Sequence, residues 1–248
     1  MCGTFGQDKD ENAKGNSKWV AKITKEFREK HGTPWKPVVK PNQTANIYTS
    51  KGLTPATFGF ILGEFKDGRK KFWINARVEY FDNSNNSTSY HGPFEIFKNK
   101  EIAPLLKTSR AVIPVSHFFE SPSNNIKQKF LIKPANGGVI YLGGVYTQFI
   151  DADSGELSTP SFCILTTASN KATSAINHAR CPLIIEEADI ENYLNPILTE
   201  KQLSKYFKPN NNQDYSVIEI DAAQLKDNNL FTPESLSDFN AISEPIII

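Results

Sequence analysis

Two hydrophobic periods divide the chain. From Ser17 to His31 the apolar residues Trp19, Ile23 and Phe27 recur every fourth position with charges between them, and Gly32 ends the run; the spacing predicts an amphipathic helix. Pro34, Pro37 and Pro41 then enforce an extended crossing before a short strand at 45–49. The middle of the chain turns to alternation and short apolar runs. Strands are expected over 57–64 and 71–81, joined by a hairpin through Asp67-Gly68. A polar loop (82–89) and a short helix (93–99) follow, then a strand over 111–119 that delivers Glu120 at its end. Further strands are expected over 129–133 and 139–150 around Asn136-Gly137-Gly138, and over 162–167 after a turn at 151–155. From Lys171 helices take over: one through His178, one over 187–194, and one over 200–207 capped by Thr199. The order implies antiparallel pairing. The predicted fold is α+β, with antiparallel sheets curled into an irregular barrel-like core and helices flanking it. Residues 2–234 read as a single domain, and 235–248 as a tail whose last three isoleucines pack.

Composition narrows this picture only in part. Apolar residues at 39%, with 17 Phe, suffice for a sizeable core, and a net charge of +1 neither indicates nor excludes nucleic acid. Three cysteines, Cys2, Cys163 and Cys181, are odd in number and lack metal-ligand spacing, which argues against a disulfide framework or a zinc site. A reducing compartment is expected, cytoplasmic or nucleoid-associated. No run of about 18 apolar residues suggests a membrane passage.

The most reactive position is the second. Removal of Met1 before a side chain as small as Cys2 is expected to leave a terminal 1,2-aminothiol. Its amine and thiol have reference pKa values of roughly 7.7–8.0 and 8.5, so both are available near neutral pH. With an acyl group such a terminus does N-terminal-nucleophile chemistry; with an aldehyde it closes a thiazolidine ring. The plain alternative is an incidental buried cysteine. Three further groups stand out. Asn75, Arg77 and Glu79 share one face of a strand because side chains alternate; Arg77 and Glu79 could pair on an exposed face, or Asn75 could orient a substrate oxygen while Arg77 grips a phosphate or carboxylate. Glu120 follows Phe118-Phe119, where desolvation would raise its pKa towards that of a neutral-pH acid, although a strand-end glutamate facing water is equally common. His178 and Arg180 lie near a helix end. With His31 in a helix terminus and His91 in a loop, His117 and His178 are the candidate histidines.

Together and in this order, these fragments resemble the SRAP family, the SOS response-associated peptidases or abasic-site processing proteins. The family begins Met-Cys-Gly. Its Asn-Ala-Arg-x-Glu strand is matched by Asn75–Glu79, its Ile-Pro-x-x-x-Phe-[Tyr/Phe]-Glu strand by Ile113–Glu120, and its His-x-Arg-Met-Pro segment by His178–Pro182. The match spans Cys2 to about Leu198. Thr4 stands where the family has Arg, Phe58 and Ser121 where it has Trp, Ser116-His117 where it has Asp-Gly, and Cys181 where it has Met.

The resemblance implies that Cys2 captures the ring-opened aldehyde of an abasic site in single-stranded DNA as a covalent thiazolidine. Glu120 and His178 would move protons, and Asn75 would hold the sugar or terminal amine. Arg77, Arg180 and Lys71 would contact phosphates, while Phe5 and Phe58 stack on flanking bases. Lyase and autopeptidase activities are within its range. No cofactor or metal is implied, and a monomer is expected. Two other readings remain: a class II glutamine amidotransferase, whose Arg-Gly-Pro-Asp segment is missing here, and a non-covalent binding module for single-stranded DNA.

Overall fold

The computed structural model describes residues 2–7, 36–64, 70–79, 83–148, 155–225 and 239–248. The helix expected over 17–31, the Asp67-Gly68 turn and most of the 151–155 turn lie outside them.

In chain order the strands are β1 (Thr4–Gln7), β2 (Lys36–Val39), β3 (Thr44–Thr49), β4 (Gly52–Phe58), β5 (Phe60–Glu64), β6 (Lys70–Trp73), β7 (Asn75–Arg77) and β8 (Arg110–Val115). They continue with β9 (His117–Glu120), β10 (Lys129–Pro134), β11 (Ile140–Thr147), β12 (Ser161–Ala168), β13 (Arg180–Pro182), β14 (Tyr215–Ile220) and β15 (Ile246–Ile247). Among the described residues four short α-helices accompany them: α1 (Ile102–Thr108), α2 (Lys171–Ala175), α3 (Ile190–Leu194) and α4 (Glu200–Leu203). The fold is thus α+β and rich in antiparallel pairs, as the alternation predicts. One sheet has the order β15-β14-β10-β9-β1-β2. In the other, β11-β8-β3-β4-β12 closes into a ring because β11 also pairs with β12, and β7 and β13 attach to β12. Ring closure requires a close approach at Gly144, where a Cβ would lie 2.6 Å from the Cys163 carbonyl oxygen.

Several departures from the predicted pattern shape the site. The strand expected over 111–119 is two strands, separated at Ser116, whose N–H donates to the Gly6 carbonyl at 3.0 Å. There the chain leaves the ring sheet at the end of β8 and enters the other sheet as β9. Likewise the 57–64 strand breaks at Gly59, which takes φ +89°. A Cβ there would sit 2.4 Å from the Phe72 ring, so β4 pairs back on β3 while β5 turns to β6. Pairing is not wholly antiparallel: β12 runs parallel to β4 and to β7. Parallel neighbours need a long crossover, and the intervening β8 to β11 supply it. The C-terminal end joins β14 through β15 as an edge strand. Its Ile246 and Ile247 are exposed, while Ile248 packs against the core.

Capping agrees with the local sequence. Thr199 and Asn170 each form a reciprocal capping box at the start of α4 and α2. The helix expected to run through His178 stops at Ala175 because Asn177 takes the left-handed region at φ 55°. The His178 N–H then bonds back to the Thr173 carbonyl at 2.9 Å, which fixes where the imidazole leaves the turn.

Candidate active site

β9 lies between β1 and β10, with Thr4 opposite Phe119 and Glu120 opposite Phe130. The residues leading into β1 therefore run beside the end of β9 that carries Glu120. From the ring sheet, β7 contributes Asn75, whose Nδ2 donates to the Cys2 carbonyl at 3.0 Å. Asn75 Oδ1 is buried and lacks a hydrogen-bond partner among the described residues.

Cys2 is wholly buried, and its Sγ lies 3.8 Å from the Thr4 carbonyl oxygen. Burial, reinforced by the Glu120 carboxylate, pushes its thiol well above the ordinary value. This corrects the expectation of a readily ionised thiol: at neutral pH Cys2 carries its proton. Glu120 is 4% exposed, and desolvation raises it to about 7, against the opposing charges of the amino terminus and, less strongly, Lys129. Burial also lowers His178, to about 4, so the imidazole is neutral at pH 7. Its Nδ1 sits 2.6 Å from the Ser121 carbonyl oxygen. A carbonyl only accepts, so Nδ1 carries the hydrogen and Nε2 presents its lone pair. That Nε2 lies 3.4 Å from Glu120 Oε2. The pair is a neutral imidazole facing a carboxyl group poised to hold or release a proton near neutrality.

The second carboxylate is arranged differently. Glu79 is 1% exposed. Its Oε2 accepts from Arg180 Nη2 at 2.9 Å, and its Oε1 from Thr167 Oγ1 at 3.1 Å and the Ala168 N–H at 3.0 Å. Arg77 Nε lies 3.8 Å from Oε2. Arg180 also donates to the Thr166 carbonyl at 2.7 Å, while Arg77 Nη2 donates to the Asn83 carbonyl. Asn83 in turn accepts the Ser87 N–H at 2.8 Å, which ties the following loop.

Of the predicted site residues, the structure brings together Cys2, Asn75, Glu120 and His178. Arg180, expected to touch phosphate, is instead a buried fastening on Glu79. Phe5 and Phe58 are corrected as well. Both are fully buried, with centroids 5.2 Å apart, and both pack on Phe162. Neither offers a face to a nucleobase. Arg77 keeps 28% of its side chain exposed. Lys71 lies in β6, and its side chain is outside the described residues.

Sequence reasoning missed two cations. Lys129 Nζ donates to Ser121 Oγ at 2.7 Å, directly beside the Glu120–His178 pair. Arg110, 4% exposed, donates to the Tyr193 carbonyl at 2.6 Å and to the Leu106 carbonyl at the end of α1. A charged residue opening the apolar run of β8 was the available signal for the second. Nothing local marks the first.

Among the described residues no group of three or more His, Cys, Asp or Glu is placed to hold a metal, and no helix is long and apolar enough to cross a membrane.

A family model described as SOS response associated peptidase (SRAP) matches residues 1–224. Among solved structures, a protein from Bacteroides thetaiotaomicron is similar in fold, with a TM-score of 0.64 at 22% identity over 82% of this chain and 83% of that one. A Bordetella bronchiseptica protein reaches 0.62 at 13% identity, covering 88% and 99%. A phage-related protein from the same organism reaches 0.57 at 13%, covering 88% and 94%. No curated protein matches the chain.

Proposed function

The chain belongs to the SOS response associated peptidase family, and from that premise we propose that it is an abasic-site sensor in the DNA damage response. It captures the aldehyde of an abasic deoxyribose in single-stranded DNA as a covalent thiazolidine on Cys2. The observation that carries this reading is the convergence of buried Cys2, held by Asn75, with a Glu120–His178 pair of complementary proton affinity.

The chemistry requires a chain that begins at Cys2. Its amine adds to the aldehyde carbon, and Glu120, holding a proton near neutral pH, gives that proton to the oxygen that leaves as water. An imine results. The thiol then adds to the imine carbon: a C–S bond forms, the sulfur proton passes through His178 Nε2, and the nitrogen gains a hydrogen. No oxidant enters. A protonated thiol is no obstacle, because it reacts second and with an electrophile already held in place. The orphaned Oδ1 of Asn75 suits an N–H of the attacking amine.

The test incubates the full chain with single-stranded DNA bearing one abasic site and reads intact mass and denaturing-gel mobility. Wild type is expected to give an adduct that survives denaturation without borohydride, with a protein mass lacking Met1. Cys2→Ser is expected to need reductive trapping. Unchanged crosslinking in Cys2→Ala would discard the thiazolidine; glutamine hydrolysis without any adduct would favour the amidotransferase.

A further inference from the structure

A strand of DNA brings phosphates to any site that holds its sugar, and each needs a cation or a hydrogen-bond donor. Of the two arginines already described, Arg180 is buried on Glu79, and Arg77, though 28% exposed, lies 3.8 Å from the same carboxylate. The approach along β1 carries no cationic side chain: it reads Cys2, Gly3, Thr4, Phe5. On the other flank of β9, roughly 10 Å across at two strand spacings, β10 opens with Lys129.

Lys129 is well anchored and only partly covered. One N–H goes to Ser121 Oγ at 2.7 Å, and Ser121 Oγ in turn lies 3.3 Å from the Ile126 carbonyl oxygen. The Ser121 carbonyl holds His178 at 2.6 Å, so the ammonium is one residue's breadth from the acid–base pair. Its charge is felt there, adding to the larger pull of the amino terminus on both Glu120 and His178. Among the described residues no ion pair involves Lys129. An ammonium has three donors, and two of them remain for a ligand.

We propose that Lys129 is the phosphate-binding cation of this site: held by Ser121, its ammonium receives the phosphodiester next to the reacting sugar. This rests on the DNA reading above and adds to it the group that registers the strand over Cys2. Fixing one phosphate beside Glu120 limits where the aldehyde carbon, a few bonds along the same nucleotide, can lie, so contact and chemistry share an anchor.

The experiment separates this proposal from its premise by using a strand with a tetrahydrofuran abasic analogue, which has no aldehyde and cannot crosslink. Binding of a fluorescein-labelled strand to wild type, Lys129→Met and Lys129→Arg is followed by anisotropy across a salt series. Lys129→Met is expected to weaken binding roughly tenfold at low salt. The slope of log K against log salt should fall by about 0.7, the share of one phosphate contact in single strands. Lys129→Arg should recover the slope, which a purely structural role does not predict. Equal slopes and affinities for Lys129→Met and wild type, with equal thermal melts, overturn the proposal. Failure of wild type to bind the strand at all overturns it together with the DNA reading, whereas tight binding without an adduct on a true abasic strand overturns only the thiazolidine.

Discussion

Glu79 and Glu120 are both buried carboxylates at strand ends on this face of the molecule, and they do opposite work. Glu79 is surrounded by donors: a guanidinium, a hydroxyl and a backbone N–H meet its two oxygens. Such a group is a fastening, and it holds β7, β12 and β13 together. Glu120 faces a neutral imidazole and a buried thiol, with the amino terminus and, more weakly, Lys129 as the opposing charges. Desolvation dominates there and leaves a proton in play near pH 7. Burial alone therefore does not make a catalytic carboxyl; the charge and donor count of its neighbours decides.

The sharpest way to break the contrast is Arg180→Met. It leaves Glu79 buried with its main partner gone, and the expected loss is about 3–5 kcal/mol of unfolding free energy, read from urea titrations at fixed pH. A loss below about 1 kcal/mol would mean Glu79 is no fastening.

Proton linkage sharpens it next. Glu120 rises from 4.5 to about 7 on folding, so its contribution is full below pH 4.5 and is lost as pH rises through 7. His178 falls from 6.5 to about 4, so its contribution is present above pH 6.5 and is lost as pH falls through 4. Between 4.5 and 6.5 the two slopes oppose and largely cancel in wild type. Glu120→Gln should uncover the histidine slope, with stability falling by up to about 3 kcal/mol from pH 6.5 to 4. His178→Gln should uncover the opposite slope, falling by a similar amount from pH 4.5 to 7. Parallel pH–stability curves for both variants and wild type would contradict the assigned protonation states.

The smallest effect concerns Phe58. Because it is a core side chain, Phe58→Leu is expected to cost about 1–2 kcal/mol of stability and to leave the affinity for single-stranded DNA unchanged. Weaker binding at unchanged stability would restore it as a stacking platform.

Much of the local structure was legible in the residues themselves. Asp67-Gly68 announced the pairing of β5 with β6, Thr199 announced α4, and period-two alternation put Asn75 and Arg77 on one face. Each rests on interactions between near neighbours, whose geometry a few residues specify. The break at Ser116 was hidden because an apolar run does not say which sheet it joins. Glu79 could be read as pairing with Arg77 on an exposed face because alternation assigns a face and not what covers it. Phe5 and Phe58 misled for the same reason: an aromatic near a nucleophile suits a base or a core, and only packing chooses.

By itself, then, the sequence determined the α+β pattern, the main strands, two helix caps and the candidate chemistry of Cys2, Asn75, Glu120 and His178. Tertiary structure alone decided which carboxylate is clamped and which can exchange a proton, that Arg180 turns inward, and that Lys129 stands beside the site. The division is physical: turns, caps and periodicity arise within a few residues. Desolvation and charge pairing sum over atoms that the chain brings together from dozens of positions apart.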